Sequence, residues 1–356
     1  MTGKRELKLG FAVPIFAAPG ILDLRTPSFE QLEWEPILDA VTRAERLGMD
    51  SIWVADHMFL GRDGAILESW TALCALAGAT KDIRLGNIHL GNGFRPAGLT
   101  AKMAASLDFV SHGRFDLFID PGWREREHTA FGFHWEPDRA ERAASVAETI
   151  EICRATWSGR STSYTGRFNR LDGAINMPRP VNPSGPAVWV GEAFDEATLD
   201  LVVKHADVWN SMPAGLEVLK QKIAAVDEAC LRRGRDPRTL AKTLETQVLI
   251  IESDEEWFSW LETWSLLREQ YPAGDEMTDF FEFVQSTNPQ LTAGGTTERL
   301  KEEFLIGTRA EVEEKLNGYI DLGISEIVCW FMDFPSAKSM TVLTEEIRPR
   351  LRALNV

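Results

Sequence analysis

Cysteine, tyrosine and histidine are scarce in this chain: four, three and six among 356 residues. The four cysteines, Cys74, Cys153, Cys230 and Cys329, lie far apart and show no C-x-x-C spacing. That excludes a disulfide framework and a zinc knuckle; reduced, buried thiols are expected instead. The histidines form no H-x-H or H-E-x-x-H pattern and no carboxylate cluster has ligand spacing, so no metal site is predicted. Basic residues are also in deficit. Lys plus Arg is 38 against 54 for Asp plus Glu, a formal charge of −16. Such a surface repels phosphate backbones and anionic lipid, which argues against nucleic acid and membrane surfaces as partners. No segment holds 18 apolar residues in a row, and the apolar run near the N-terminus is short and broken by Pro14. Neither a signal peptide nor a membrane span is expected, and the cytoplasm is the expected compartment. No G-x-S-x-G or Walker loop is present, and no G-x-G-x-x-G follows the first strand pattern. These absences count against a serine hydrolase, a P-loop NTPase and a dinucleotide-binding fold.

What is present is an alternation. Apolar residues make up 44% of the chain, enough for a large core. Strand-like runs fall at 8–16, 50–56, 83–91, 114–120, 187–192, 207–211, 241–253 and 325–334. Between and after them, helical patterns cover 35–49, 69–80, 96–113, 139–159, 196–206, 216–234, 308–323 and 339–351. The strands are nearly continuous apolar runs, as parallel strands buried on both faces should be. Eight strand–helix units predict an α/β fold, a closed (β/α)8 TIM barrel, with a doubly wound open sheet as the alternative. No linker splits the chain, so residues 1–356 are read as one barrel domain. Two stretches, about 160–186 and 254–307, exceed the basic repeat and are expected as insertions that shape a pocket or a subunit contact.

In a barrel of this kind the site lies at the C-terminal ends of the strands. The residues just past each apolar run should therefore converge. They are Asp56 and His57; Asn87, His89 and Asn92; Asp120 and Trp123; Glu192; Asn210; Glu245 and Gln247; and Asp333. Glu245 and Gln247 are two apart on one strand, so both face the barrel interior or both face outward. His112, His128, His134 and His205 lie in helices or loops and are expected to face solvent. Trp53, Trp123, Trp189, Trp209 and Trp330 lie in or just past strands, where some can wall a flat aromatic ligand.

Taken in order, several segments resemble the luciferase-like flavin-dependent oxidoreductases. They include "AERLGMDSIWVADH" (44–57), "LTAKMAASLDFVSHGRFDLFIDPGW" (99–123), "PRPVNPSGPAVWVGEA" (178–193) and "IGTRAEVEEKLNGYIDLGISEIV" (306–328). The resemblance implies a (β/α)8 barrel, often a homodimer, that binds reduced FMN as a co-substrate or, alternatively, the deazaflavin coenzyme F420. It implies that His57, Asn87 and His89 serve catalysis, and that Asn87 to Leu90 lies behind the ring, commonly with a bulge or a non-proline cis bond. It also implies that Asp56, Asn87, Asp120, Gly122, Trp123, Gly191, Glu192 and Ala193 seat the cofactor. The first activity it suggests is a two-component monooxygenase, served by an NAD(P)H-dependent flavin reductase and acting with O2 on a small organic substrate. Deazaflavin-dependent hydride transfer is the second, and a catalytically silent partner subunit the third. After the fifth strand the chain departs from the family pattern. Glu192, Phe194 and Asp195 stand where relatives carry small residues whose N–H groups hold phosphate. These acids would repel a phosphate unless they cap the helix and point away. Arg124, Arg126, Arg139 and Arg142 are candidate countercharges.

Overall fold

The computed structural model describes residues 6–193, 195–274, 282 and 297–354. Its centre is a ring of eight parallel strands: β1 (Lys8–Val13), β2 (Ser51–Val54), β3 (Arg84–Asn87), β4 (Phe115–Asp120), β5 (Val188–Val190), β6 (Val208–Ser211), β7 (Ala241–Ile250) and β8 (Ile324–Phe331). Each pairs with its sequence neighbour, and β8 returns to β1 with Leu9 opposite Ile327, so the sheet closes. This is the (β/α)8 barrel the alternation predicts. The strand residues explain it: Ile52, Trp53 and Val54 on β2, for example, are fully buried, as residues enclosed by barrel interior and outer helices must be.

Helices α1 (Trp34–Arg46), α2 (Ser69–Ala79), α3 (Ala97–Val110), α4 (Arg139–Trp157), α5 (Glu196–His205), α6 (Leu216–Arg232) and α7 (Arg309–Asp321) surround the ring. The last helix begins at Lys338–Thr341 and widens into a π turn at Val342–Ile347. Their one-sided apolar spacing decides the inward face: α1 buries Ile37, Val41 and Ala44. Side-chain caps fix the starts of α2, α4, α5 and α7. Glu68 accepts from the N–H groups of Trp70 and Thr71, and Thr308 with Glu311 forms a capping box.

Three segments differ from the plain repeat. The expected third strand is interrupted: β3 stops at Asn87, the Ile88–His89 peptide is cis, and pairing with β4 resumes at Leu90–Gly91. The first insertion is an antiparallel hairpin of Thr162–Thr165 and Arg170–Ala174. In the second, a helix at Asp254–Gln270 buries Trp257 and Trp264 against Leu249, Ile251 and Met332. Leu305–Gly307 then adds a parallel strand along the end of β7. Residues 275–281 and 283–296 of that insertion, and Phe194, lie outside the described residues. Among the described residues no helix is long and apolar enough to cross a membrane, and no cluster of His, Cys, Asp and Glu could hold a metal. Cys153, Cys230 and Cys329 are buried as expected, but Cys74 is exposed on α2. Its position falls between the inward-facing Leu73 and Leu76, so the helical turn carries it outward.

Candidate active site

At the C-terminal ends of the strands lies a cavity of about 330 Å³. Of the residues singled out past each apolar run, Asp56, His57, His89, Asp120, Trp123, Glu192, Glu245 and Gln247 line it. Gly122 lines it too, held at φ +79 while its N–H donates to Asp120 Oδ1 at 2.7 Å.

Three imidazoles line this cavity, and two of them, His57 and His89, face a carboxylate partner. His57 Nδ1 lies 2.9 and 3.0 Å from the two oxygens of Glu127, and its ring meets Trp123 edge-on. Glu127 is almost wholly buried and also accepts from Arg124 at 2.7 Å. Burial pushes its carboxyl up, but His57 and then Arg124 outweigh that effect and hold it below the ordinary glutamate range. The ionised Glu127 fixes the proton of His57 on Nδ1 and leaves Nε2 for the cavity. The second imidazole, His89, packs on Phe118 with ring centroids 4.2 Å apart, and its Nδ1 is 3.6 Å from Asp120 Oδ2. His89 Nε2 is buried without a partner among the described residues.

Asp56 ends β2 as a hub. It accepts from Ser69, from the Gly91 N–H at 2.8 Å and from both terminal nitrogens of Arg95 at 2.8 and 3.0 Å. Its carboxylate is thereby occupied within the protein, and it ties the end of β2 to the loop after β3. Glu192 is likewise occupied: it pairs with Lys222 at 2.8 Å and accepts from the Met212 N–H at 3.0 Å. Asp195 is the N-cap of α5, with a capping box to Thr198. The acids after β5 therefore serve the protein's own groups. Around them, Arg139, Arg142 and Thr198 line the cavity. Arg139 lies 3.5 Å from Asp195, and Arg142 donates to the Glu136 and Pro137 carbonyls while its Nε is buried without a partner. Burial, then the charge of Arg139, lowers the pKa of Arg142.

Other expectations place differently. Asn87 is fully buried at the end of β3, outside the cavity lining, with both amide atoms unpartnered among the described residues. Gly191 and Ala193 are also outside the lining, although a side chain at Gly191 would come within 3.5 Å of Asp120 and 3.6 Å of His89. Asn92 donates to Ser145, Asn210 accepts from Thr243, and Asp333 accepts from the Ser339 N–H. Trp123 and Trp330 wall the cavity, whereas Trp53, Trp189 and Trp209 belong to the core. His128, expected in solvent, is buried between Phe94 and Trp135 and lines the cavity; burial lowers its pKa. It sits on a short helix, Glu125–Ala130, whose inner face carries Glu127 and His128 together. Glu127 was missed from sequence. The signal available was its spacing: it stands three residues after Arg124, on one helical face. Arg25, in the loop after β1, was missed as well; it pairs with Glu245 at 3.0 Å.

The profile of the luciferase-like monooxygenase family matches residues 14–326, and the chain belongs to that family. An F420-dependent glucose-6-phosphate dehydrogenase of Amycolatopsis mediterranei is 25% identical over 92% of this chain and 97% of its own length. A pyrimidine monooxygenase, RutA, of Allorhizobium ampelinum is 26% identical over 64% of each chain. Among solved structures, an F420-dependent secondary alcohol dehydrogenase in complex with an F420–acetone adduct superposes with a TM-score of 0.73 at 18% identity, over 98% of this chain and 99% of that one. The oxygenating constituent of 3,6-diketocamphane monooxygenase from Pseudomonas putida, in complex with FMN, gives 0.74 at 16%, over 98% and 99%. The chain is thus an oxidoreductase of the luciferase-like family, and both kinds of cofactor occur among its relatives.

Proposed function

We propose that this cavity holds a flavin-type ring and that the protein oxidises or reduces a small organic substrate there, with His57 handling the proton. The observation that carries this reading is the pair of imidazole–carboxylate couples, His57–Glu127 and His89–Asp120, on one cavity. The residues present fit such a group. His89 Nε2 is an unpartnered buried atom on the lining, and Arg142 Nε is an unpartnered buried donor beside a second arginine. In this reading His89, Asp120, Gly122 and Trp123 seat the ring, and Arg139, Arg142 and Thr198 serve a phosphate-bearing tail.

Deazaflavin F420 is the first cofactor reading, supported by curated relatives that align over nearly the whole chain. When bound, it supplies a two-electron, hydride-accepting or hydride-donating carbon. His57, oriented by Glu127, takes the proton from a substrate hydroxyl or returns it to a carbonyl at Nε2. The walls formed by Trp123, Leu60 and Phe94 limit water around that transfer. Reduced FMN with O2, supplied by a separate NAD(P)H-dependent reductase, is the second reading; the RutA relative and the FMN-bound structural neighbour favour it.

Anaerobic titration with F420 and with FMN, followed by fluorescence, tests the assignment. Saturable F420 binding with a much weaker FMN response is expected. Tight binding of reduced FMN alone, with oxygen consumption coupled to product, would select the second reading. Binding of neither ring would sink both.

A further inference from the structure

The wall opposite His89 and Asp120 is built by β7 and β8. Glu245 and Gln247 sit on one face of β7, and Gln247 is in register with Trp330 of β8. All three line the cavity and all three are nearly wholly buried. One oxygen of Glu245 accepts from Arg25 at 3.0 Å; the other, Oε2, has no partner among the described residues. The amide nitrogen of Gln247 donates to the Leu22 carbonyl at 3.4 Å, which turns Oε1 away from that carbonyl and leaves it unpartnered. The indole nitrogen of Trp330 is unpartnered too. Buried acceptors left unpaired are costly, and two on one strand face of a binding cavity are a recognition feature rather than a packing one.

We propose that Glu245 and Gln247 form a substrate subsite for an uncharged hydrogen-bond donor, a neutral N–H or O–H carried on a small group that lies against Trp330. This rests on reading the cavity as the redox site and names the class of substrate it takes. The charge balance selects a neutral donor. Arg25 already neutralises Glu245 and lies over the Trp330 ring at 5.4 Å, so a second cation would be repelled. An anion would meet two acceptors, one of them a carboxylate oxygen. A purely aliphatic substrate would leave both acceptors unpaired. A lactam, an amide or an alcohol satisfies them, and a carbonyl on the same group can accept from the indole N–H. Sites built around buried polar groups of this kind reject analogues that lack the matching donor far more strongly than apolar pockets reject a missing methylene.

The test uses matched probes on the full chain. δ-Valerolactam is compared with its N-methyl derivative, and cyclohexanol with cyclohexanone, by saturation-transfer NMR titration. The expected result is at least tenfold tighter binding of the donor-bearing member of each pair. Gln247→Leu and Glu245→Gln should each shrink that preference severalfold, while their melting temperatures report whether the fold is kept. Equal affinity within both pairs, or no saturable binding of either donor probe to the unsubstituted protein, would overturn the proposal. If the variants fail to fold, the paired affinities of the unsubstituted protein still decide it. F420 and FMN titrations of the same samples separate the two claims. Donor preference without cofactor binding would retain the subsite and discard the redox reading; cofactor binding without donor preference would do the reverse.

Discussion

The two ends of the barrel hold similar residue types and use them in opposite ways. At the N-terminal floor, Arg84 from the start of β3 is ion-paired with Asp116 of β4 and Glu326 of β8, and Glu326 also accepts from Ser51 of β2. None of these side chains keeps a buried polar atom without a partner among the described residues. At the C-terminal mouth, His89 Nε2, Arg142 Nε, Glu245 Oε2 and Gln247 Oε1 are buried and have no partner among the described residues. A floor whose charges satisfy one another is a structural plug. A mouth whose polar atoms are left over is a place for something else to bind. The difference teaches that burial of charge alone does not mark a site; incomplete pairing on the wall of a cavity does.

The largest effect should come from breaking the floor. Arg84→Met leaves Asp116 and Glu326 facing each other without their cation, and removing one partner of a buried network of this kind costs about 3–5 kcal/mol. Burial, partly offset by Arg84, already pushes the Asp116 carboxyl up to about 6. The loss should therefore shrink below pH 5, where Asp116 can take up a proton. Urea melts at pH 5 and pH 8 measure both quantities. A variant as stable as the parent at pH 8 would mean the floor is not the structural plug inferred here.

Breaking the mouth should spare stability and remove function. His57→Ala is expected to lower turnover about 10²–10⁴-fold, the usual range for a lost acid–base group, with cofactor affinity changed little. Glu127→Gln should cost less, on the order of tenfold, because the imidazole stays in place but its Nδ1 loses an anionic partner. Turnover equal to the parent's would leave Glu127 a purely structural residue.

The ring itself was legible because each strand is a short apolar run and each run ends on a polar residue. That pattern reports burial on both faces and a common open end, where His57, His89, Asp120 and Glu192 line one cavity. It could not tell which polar ends stay free. Asp56 and Glu192 are occupied by Arg95 and Lys222, residues distant in sequence that only the closed barrel brings near. Asn87 shows the limit from the other side. It is the last residue of β3 and is fully buried there, so it is left outside the lining that His89, two residues on, helps to form. Glu127 and His128 sit on a short helix and Arg25 in a loop, and the partners that hold them at the cavity, His57, Phe94 and Glu245, are distant in sequence. The caps of α2 and α5, by contrast, depend on neighbours two or three residues away, and the warning that Asp195 would have to cap its helix was readable from sequence.

Asp333 offers the smallest and sharpest contrast, an acid at the mouth that is buried yet not on the cavity. It accepts from the Ser339 N–H at 3.0 Å, and its Oδ1 is unpartnered among the described residues. Burial dominates that hydrogen bond and pushes the carboxyl up to about 6. A raised folded value means the fold prefers the protonated acid. The associated stability is fully present below the unfolded value of 3.8 and is lost as pH rises through about 6. Asp333→Asn keeps an acceptor for Ser339 but never ionises, so it should be more stable than the parent at pH 8. Near pH 4 the two should melt alike. Asp116 titrates across the same window from the floor, so the parent's decline between pH 4 and 6 should weaken in the variant without disappearing. Because Asp333 touches neither imidazole couple, cofactor affinity should be unchanged in the same preparation; a loss there would place this acid in the site after all.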